Sequence, residues 1–146
     1  MKIIKLDESH ISQIYRIESE CFAHPWSEQS ILDAMRAGHT FFGFLQDGIL
    51  RGFAGVNIIC GEGYIDNVAV SEKYRSCGIG RAIMNAVISH CKSEDVKSIS
   101  LEVRCSNKSA IALYESLGFR SLGIRPKFYT APIEDANIFE LITNNE

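Results

Sequence analysis

The chain has little of what would take it outside an ordinary globular domain. It has no Cys-x-x-Cys pair. Its five cysteines (Cys21, Cys60, Cys77, Cys91 and Cys105) are odd in number and scattered, which argues against a disulfide framework or a zinc site and for reduced thiols. The four histidines are equally dispersed, so no metal is expected. No apolar run approaches the ~18 residues of a membrane span. No block of basic residues is present to neutralise phosphates and the formal charge is −3, which speaks against nucleic acid as the main partner. That charge would not hinder docking of a basic protein. The start, Met1-Lys-Ile-Ile-Lys, is interrupted by Asp7 and Glu8 too early for a signal peptide. A cytoplasmic protein is expected, without repeats, low-complexity stretches or linkers.

What is there reads as one domain over residues 1–146, with 46% apolar, 23% charged and 10% aromatic residues. A chain of this length can bury about 68% of its unfolded surface. Ile3, Ile4 and Leu6 suggest a first strand. Asp7 or Ser9 then caps a helix that places Ile11, Ile14, Tyr15 and Ile17 on one face. His24-Pro25-Trp26 breaks it, and Ser27 caps a second helix ending at Gly38. Thr40 to Gln46 and Ile49 to Cys60 read as strands joined at Asp47-Gly48, a strong hairpin signal. Gly61-Glu-Gly63 turns the chain into a strand from Tyr64 to Val70. A helix follows Gly80 (Ile83, Ala86, Val87, Cys91). Ser98 to Val103 is a strand, Lys108 to Leu117 a helix closed by Gly118, and Phe119 to Lys127 and Asn137 to Ile142 are strands. The order predicts an α+β fold, a mixed sheet with helices on both faces. The β-α-β crossover should lay the strand before Gly78 parallel to the strand at 98–103.

The segment from Tyr64 to Arg81 carries the chemistry. An apolar strand enters a short polar turn, then Arg75-x-x-Gly78-x-Gly80, then a long amphipathic helix. Glycines that let the backbone approach a ligand, followed by a helix N-terminus, suit a phosphate or pyrophosphate. The third glycine of a dinucleotide fingerprint is missing, as is the Lys-Ser/Thr of a P-loop. An ordinary strand-turn-helix remains the competing reading of these residues alone.

Further blocks give the pattern a family. Asn67-Val-Ala-Val70 leading to Arg75-x-x-Gly78-x-Gly80 resembles the acetyl-CoA motif of the GNAT N-acetyltransferase superfamily. His24-Pro25-Trp26-Ser27, Leu101-Glu-Val-Arg-Cys-Ser-Asn107, Ala110-Ile-Ala-Leu-Tyr114-Glu-Ser-Leu-Gly-Phe119, Arg125-Pro-Lys-Phe-Tyr129 and Glu134-Asp-Ala136 are similar to its bacterial RimI branch. That branch acetylates the N-terminal alanine of protein eighteen of the small ribosomal subunit. The resemblance spans residues 20 to 142 and implies a twisted, mostly antiparallel central sheet. It departs from the family's pattern at Ser76 and Cys77, where basic or amide side chains are usual.

The resemblance implies acetyl-CoA as donor, with no metal, and the N-terminus of a ribosomal protein as acceptor. Cofactor contacts would come from Val68, Ala69, Val70, Arg75, Ser76, Cys77, Gly78, Ile79, Gly80, Arg81 and Asn107. The strand segment Val68 to Val70 would pair with the pantetheine arm and point an N–H at the acetyl carbonyl, a donor worth ~3 kcal/mol in the transition state. Glu102 would be the general base; the competing reading is a surface ion pair with Arg104 on the same strand face. A free α-amine with a pKa near ~7.8 is ~10% neutral at pH 7, and deprotonating it costs ~1 kcal/mol. A glutamate near ~4.3 is a poor acceptor for that proton, so Glu102 is either shifted by burial or acts through a water, the version we favour. Tyr114 would donate to the departing thiolate, its alternative being a core tyrosine. Asn107 reads as an N-cap that also touches the cofactor. Trp26 and Tyr129 would flank the peptide groove, with a core role open for Trp26. Two alternatives stay on the table: a GNAT enzyme acting on a lysine side chain or small amine, and a non-catalytic acyl-CoA-binding module.

Overall fold

The computed structural model describes residues 1–143; the last three positions of the expected 1–146 domain lie outside the described residues. Its elements follow the expected order. They are β1 (Ile3–Lys5), α1 (Ile11–Cys21), α2 (Glu28–Arg36), β2 (Thr40–Gln46), β3 (Ile49–Ile59), β4 (Glu62–Val70), α3 (Ile79–Ser93), β5 (Ser98–Arg104), α4 (Lys108–Ser116), β6 (Arg120–Tyr129) and β7 (Glu134–Ile142). The strands form one seven-stranded sheet in the order β1-β2-β3-β4-β5-β7-β6. Among the described residues, only β4 and β5, joined by the α3 crossover, run parallel; the other neighbours are antiparallel. Among the described residues, no helix is long and apolar enough to cross a membrane.

Local chemistry sets several boundaries. Asp7 accepts from the Ser9 N–H at 2.9 Å, but it caps a single 3₁₀ turn (Glu8–His10) that leads into α1. Ser27 caps α2 by accepting from Ser30 N–H at 3.0 Å. Asp47 and Gly48 both take positive φ (55° and 77°), the geometry a tight hairpin requires. The next turn pivots on Cys60 and Gly61, not on Gly61 to Gly63 as the glycines suggest, so β4 begins at Glu62.

Strand alternation splits the core in two. Ile11, Ile14 and Ile17 of α1 and Ile31 of α2 pack on Phe41, Leu50 and Phe53. Ile79, Ile83, Met84 and Val87 of α3 and Tyr114 of α4 pack on Val56, Ile65, Ile99 and Phe139. Tyr15, expected on the buried face of α1, is exposed: the buried stripe is the narrower Ile11-Ile14-Ile17-Glu18 row.

Two irregularities shape the centre. The β3–β4 register slips between Ala54/Val68 and Val56/Ile65, placing an extra residue in β4 at Asp66-Asn67. The β4–β5 ladder stops after Tyr64↔Ser100. The expected parallel pairing therefore holds for three residues, and then the strands part. Past that point the β5-facing edge of β4 has no partner strand.

The last turn of α1 is stitched across the freed half of β4. Glu18 accepts from the Trp26 N–H at 3.0 Å and from the Asn67 side-chain amide. Glu20 accepts from Glu72 N–H at 2.7 Å and from Ser71 Oγ at 3.2 Å. The Cys21 thiol donates to the Val70 carbonyl at 3.6 Å.

Candidate active site

Where β4 and β5 separate, two cavities form. One, of about 700 Å³, is lined by Val68, Ala69 and Val70, by Arg75, Ser76, Gly78, Gly80 and Arg81, and on the α4 side by Asn107, Leu113 and Tyr114. The other, of about 460 Å³, is lined by Trp26, Asp66, Glu102, Arg104, Phe128 and Tyr129, among others. They share Cys21, Phe22, Val68, Arg104, Asn107 and Tyr114.

The larger cavity has the start of a helix at one end and a strand edge along its side. Gly78, at φ 85°, is the N-cap of α3 in the left-handed region, where a glycine costs nothing. With Ala82 N–H bonded to the Gly78 carbonyl, the N–H groups of Ile79, Gly80 and Arg81 have no acceptor within the helix. The first turn of α3 carries no acidic residue, so its positive end is uncompensated. Ser76 also sits at positive φ, 62°. Beside this loop, the unpartnered edge of β4 offers strand-type donors and acceptors over Val68 to Val70.

The side chains of the loop do not all reach the cavity. Cys77 is exposed and does not line it; its Sγ is 3.5 Å from the Arg75 carbonyl. Ile79 is buried in the core, which leaves only its backbone facing a ligand. Arg75 lines the cavity and is braced from behind: Nε donates to the Val70 carbonyl at 3.0 Å and Nη2 to Cys21 Sγ at 3.3 Å. Arg81 donates to Ser116 Oγ at 2.8 Å. The polar groups this turn offers are thus mainly backbone, with the arginines bracing it.

The smaller cavity brings Glu102, Trp26 and Tyr129 together with Tyr114. Glu102 is exposed to it between the buried Leu101 and Val103. It forms no ion pair with Arg104, whose guanidinium binds Glu134 at 3.2 Å and the carbonyls of Pro132 (3.0 Å) and Thr130 (3.1 Å). The same guanidinium lies 4.5 Å from the centroid of the Tyr129 ring. Burial, with the negative charge of Glu102 next in effect, pushes the Tyr129 hydroxyl up to about 12. Tyr114, packed on Phe119 and Phe139, is likewise pushed up to about 12 by burial. Trp26 does both things its sequence position allowed: it packs against the α1–α2 core and lines the cavity. Asn107 caps α4, accepting from the Ala110 N–H at 3.3 Å, and lines both cavities. Among the described residues, no three His, Cys, Asp or Glu side chains are placed to hold a metal ion.

The sequence profile of the acetyltransferase (GNAT) family matches residues 11–119. A protein of Escherichia coli K12 called [ribosomal protein bS18]-alanine N-acetyltransferase is 36% identical over 141 residues, covering 95% of each chain. The chain belongs to the GNAT acetyltransferase family. A Bacillus subtilis relative, called a putative enzyme of the same kind, is 32% identical and covers 92% of this chain and 90% of its own. The crystal structure of the ribosomal-protein-S18-alanine N-acetyltransferase from Escherichia coli superposes with a TM-score of 0.92 at 35% identity, covering 99% of this chain and 95% of that one. As a GNAT acetyltransferase, the protein is an acyltransferase whose fold matches that of the relative in its mixed, mostly antiparallel sheet.

Sequence reasoning passed over three residues around these cavities. Glu18, 1% exposed, holds the Trp26 loop and the Asn67 bulge, and burial raises its carboxyl above the ordinary value despite both hydrogen bonds. Asp66 lines the smaller cavity and contacts His39 at 2.6 Å. Cys21 lies where the cavities join. Glu18 carried a signal, being an acid in register with the buried Ile11, Ile14 and Ile17. The others depend on the bulge and on strand separation, which no local pattern encodes.

Proposed function

We propose that this GNAT acetyltransferase moves the acetyl group of acetyl-CoA to the N-terminal α-amine of a protein, with the N-terminal alanine of ribosomal protein bS18 as acceptor. The observation that carries the transfer reading is the pair of cavities sharing Val68, Asn107 and Tyr114, one suited to an extended anion and one lined by Glu102. The acceptor comes from the 36% identity to the Escherichia coli enzyme, sustained over 95% of each chain. A ribosomal acceptor puts the action in the cytoplasm.

The residues present fit acetyl-CoA. The N–H groups at Ile79, Gly80 and Arg81 hold its pyrophosphate at the start of α3, where each such contact is worth ~0.3–1 kcal/mol. Ser76 and Gly78 shape that turn, and Arg75 fixes its base. The free edge of β4 over Val68, Ala69 and Val70 pairs with the pantetheine arm and aims one N–H at the acetyl oxygen, worth ~3 kcal/mol as that oxygen gains charge. Asn107 borders the reactive end.

Glu102 is exposed to the acceptor cavity, so it takes the amine proton through a water. Tyr114 has a sharper limit. With its hydroxyl at about 12 and an ordinary thiol near ~8.5, full proton transfer to the departing sulfur is uphill by ~5 kcal/mol. Tyr114 therefore donates a hydrogen bond to the sulfur, and solvent delivers the proton. Trp26 and Tyr129 flank the incoming chain.

The test is intact-mass analysis of a peptide with the N-terminal sequence of bS18 after incubation with the protein and acetyl-CoA. One acetyl group on the α-amine is expected. An unmodified peptide alongside turnover of a lysine-containing, N-blocked peptide or a small amine would overturn this reading in favour of another acceptor. No CoA release with any amine would favour a binding module.

A further inference from the structure

The acceptor cavity contains a second carboxylate that the roles above leave unused. Asp66 sits on β4 where that strand leaves β5, its Oδ2 2.6 Å from Nδ1 of His39 in the α2–β2 connection. Both side chains are largely withdrawn from water, Asp66 at 12% exposure and His39 at 17%. Tyr64 and Ser100 form the last rung of the β4–β5 ladder. Asp66 and Glu102 each come two residues later, so they continue on the same sheet face from opposite sides of the gap. Both line the 460 Å³ cavity.

Proton accounting gives this pair a use. An acceptor that enters as an ammonium loses two protons on its way to an amide: one before attack, one after the C–N bond forms. One proton equivalent is returned to the thiolate, and the other must leave the site. Glu102 alone would have to accept both in succession and discharge between them.

We propose that Asp66, backed by His39, takes the first proton from the acceptor ammonium, leaving Glu102 to take the second. The N–H bond of the ammonium breaks and its proton passes to the Asp66 carboxylate, shared with the imidazole of His39. The freed lone pair forms the C–N bond at the thioester carbonyl, and the C–S pair departs with sulfur. The second proton goes through water to Glu102, while solvent protonates the thiolate. His39, still partly exposed, returns the first proton to bulk water. No other reactant is needed.

The surroundings suit the role. Burial pushes the Asp66 carboxyl above its ordinary value, against the opposing pull of His39, so it becomes a better proton acceptor. The charged and titratable groups lining the cavity with it are Cys21 from α1, His24 from the α1–α2 loop, Glu102 and Arg104 from β5, Tyr114 from α4 and Tyr129 from β6. Arg104 is occupied by Glu134 and two carbonyls, and Glu18 of α1 engages the neighbouring Asn67. His39 is the group in direct contact with Asp66.

This inference rests on the α-amine reading, and the test separates the two. kcat/KM for the bS18 N-terminal peptide is measured from pH 6 to 9.5 for the wild type, Asp66→Asn and His39→Gln. An α-amine near ~7.8 is ~5% neutral at pH 6.5 and almost wholly neutral at pH 9. A variant that must collect its amine already neutral from solution should lose up to ~20-fold at pH 6.5 and within ~2-fold at pH 9. A second readout does not use turnover. In the wild type, NMR signals of the His39 ring should move on adding the free-amine peptide and not its N-acetylated form, and Asp66→Asn should abolish that difference. A variant-to-wild-type ratio that is constant with pH, or unchanged activity at every pH, would overturn the relay. Should Asp66→Asn not fold, His39→Gln carries the same comparison. If the wild type ignores the bS18 peptide, the acceptor reading alone fails, and the ratio is read on whichever free-amine peptide is acetylated.

Discussion

Replacing Glu18 tests how the acceptor side is held. Its carboxylate is 1% exposed and accepts from two half-buried donors, the Trp26 N–H and the Asn67 side-chain amide. Glu18→Ala removes both acceptors. At ~1–3 kcal/mol for each orphaned donor, the cost is about 2–6 kcal/mol before any cavity is counted. At about 3 °C per kcal/mol for a chain of this size, the melting temperature should fall by roughly 6–18 °C. Glu18→Gln should behave quite differently. Its carbonyl can keep the Trp26 N–H, and its amide can donate to Asn67 once that side chain turns its oxygen inward. Both bonds survive without a buried charge.

The pH dependence gives the sign. The folded state raises the Glu18 carboxyl above its value of 4.5, so the folded chain holds this proton more tightly than the unfolded one. Stability from this group is fully present below pH ~4.3 and declines as pH rises through the window up to the raised value. Glutamine cannot lose that proton. The melting temperature of Glu18→Gln relative to wild type should therefore rise between pH 4.5 and 8, read by circular dichroism in matched buffers. A difference that is flat with pH, or a Glu18→Gln loss as large as that of Glu18→Ala at pH 7, would refute the reasoning.

Tyr114→Phe should lower kcat by ~10²-fold or more, while calorimetric acetyl-CoA affinity stays within about twofold. Gly78→Ala forces a Cβ into φ 85° with no neighbouring atom to relieve or worsen it. It should cost about 1–2 kcal/mol in denaturant melts and raise the KM for acetyl-CoA. Asn107→Ala should lose ~1 kcal/mol of stability with the α4 cap, whereas Asn107→Asp keeps the cap and should melt with the wild type. Any fall in turnover shared by the two variants then measures the side chain's role between the cavities.

Much of the fold was legible because its signals are local. The Asp47-Gly48 turn, the Ser27 and Asn107 caps and the glycine at the start of α3 each act within four residues, and each lies where its chemistry predicts. Glu102 and Tyr114 were legible through family resemblance, and the fold brings both to the same cavity. What local pattern did not show involves distance along the chain. Arg104 takes Glu134, thirty positions away, in place of the nearer Glu102. Arg75 turns back to Cys21, fifty-four positions earlier, because α1 crosses over the end of β4. The extra residue at Asp66-Asn67 exists only relative to β3, so neither strand read alone shows it.

The final turn of α1 is a shared mooring. Glu20 and Cys21 tie it to the segment from Val70 to Arg75 that leads into the turn before α3, while Glu18 ties it to the loop at Trp26. The linings of the two cavities are therefore not separate modules that can drift independently. A change that frays this one turn should weaken both substrates together. Lengthening or shortening the Trp26 loop should likewise transmit tension to the turn before α3, so a redesigned smaller cavity would have to be built around a fixed Glu18-to-Cys21 segment.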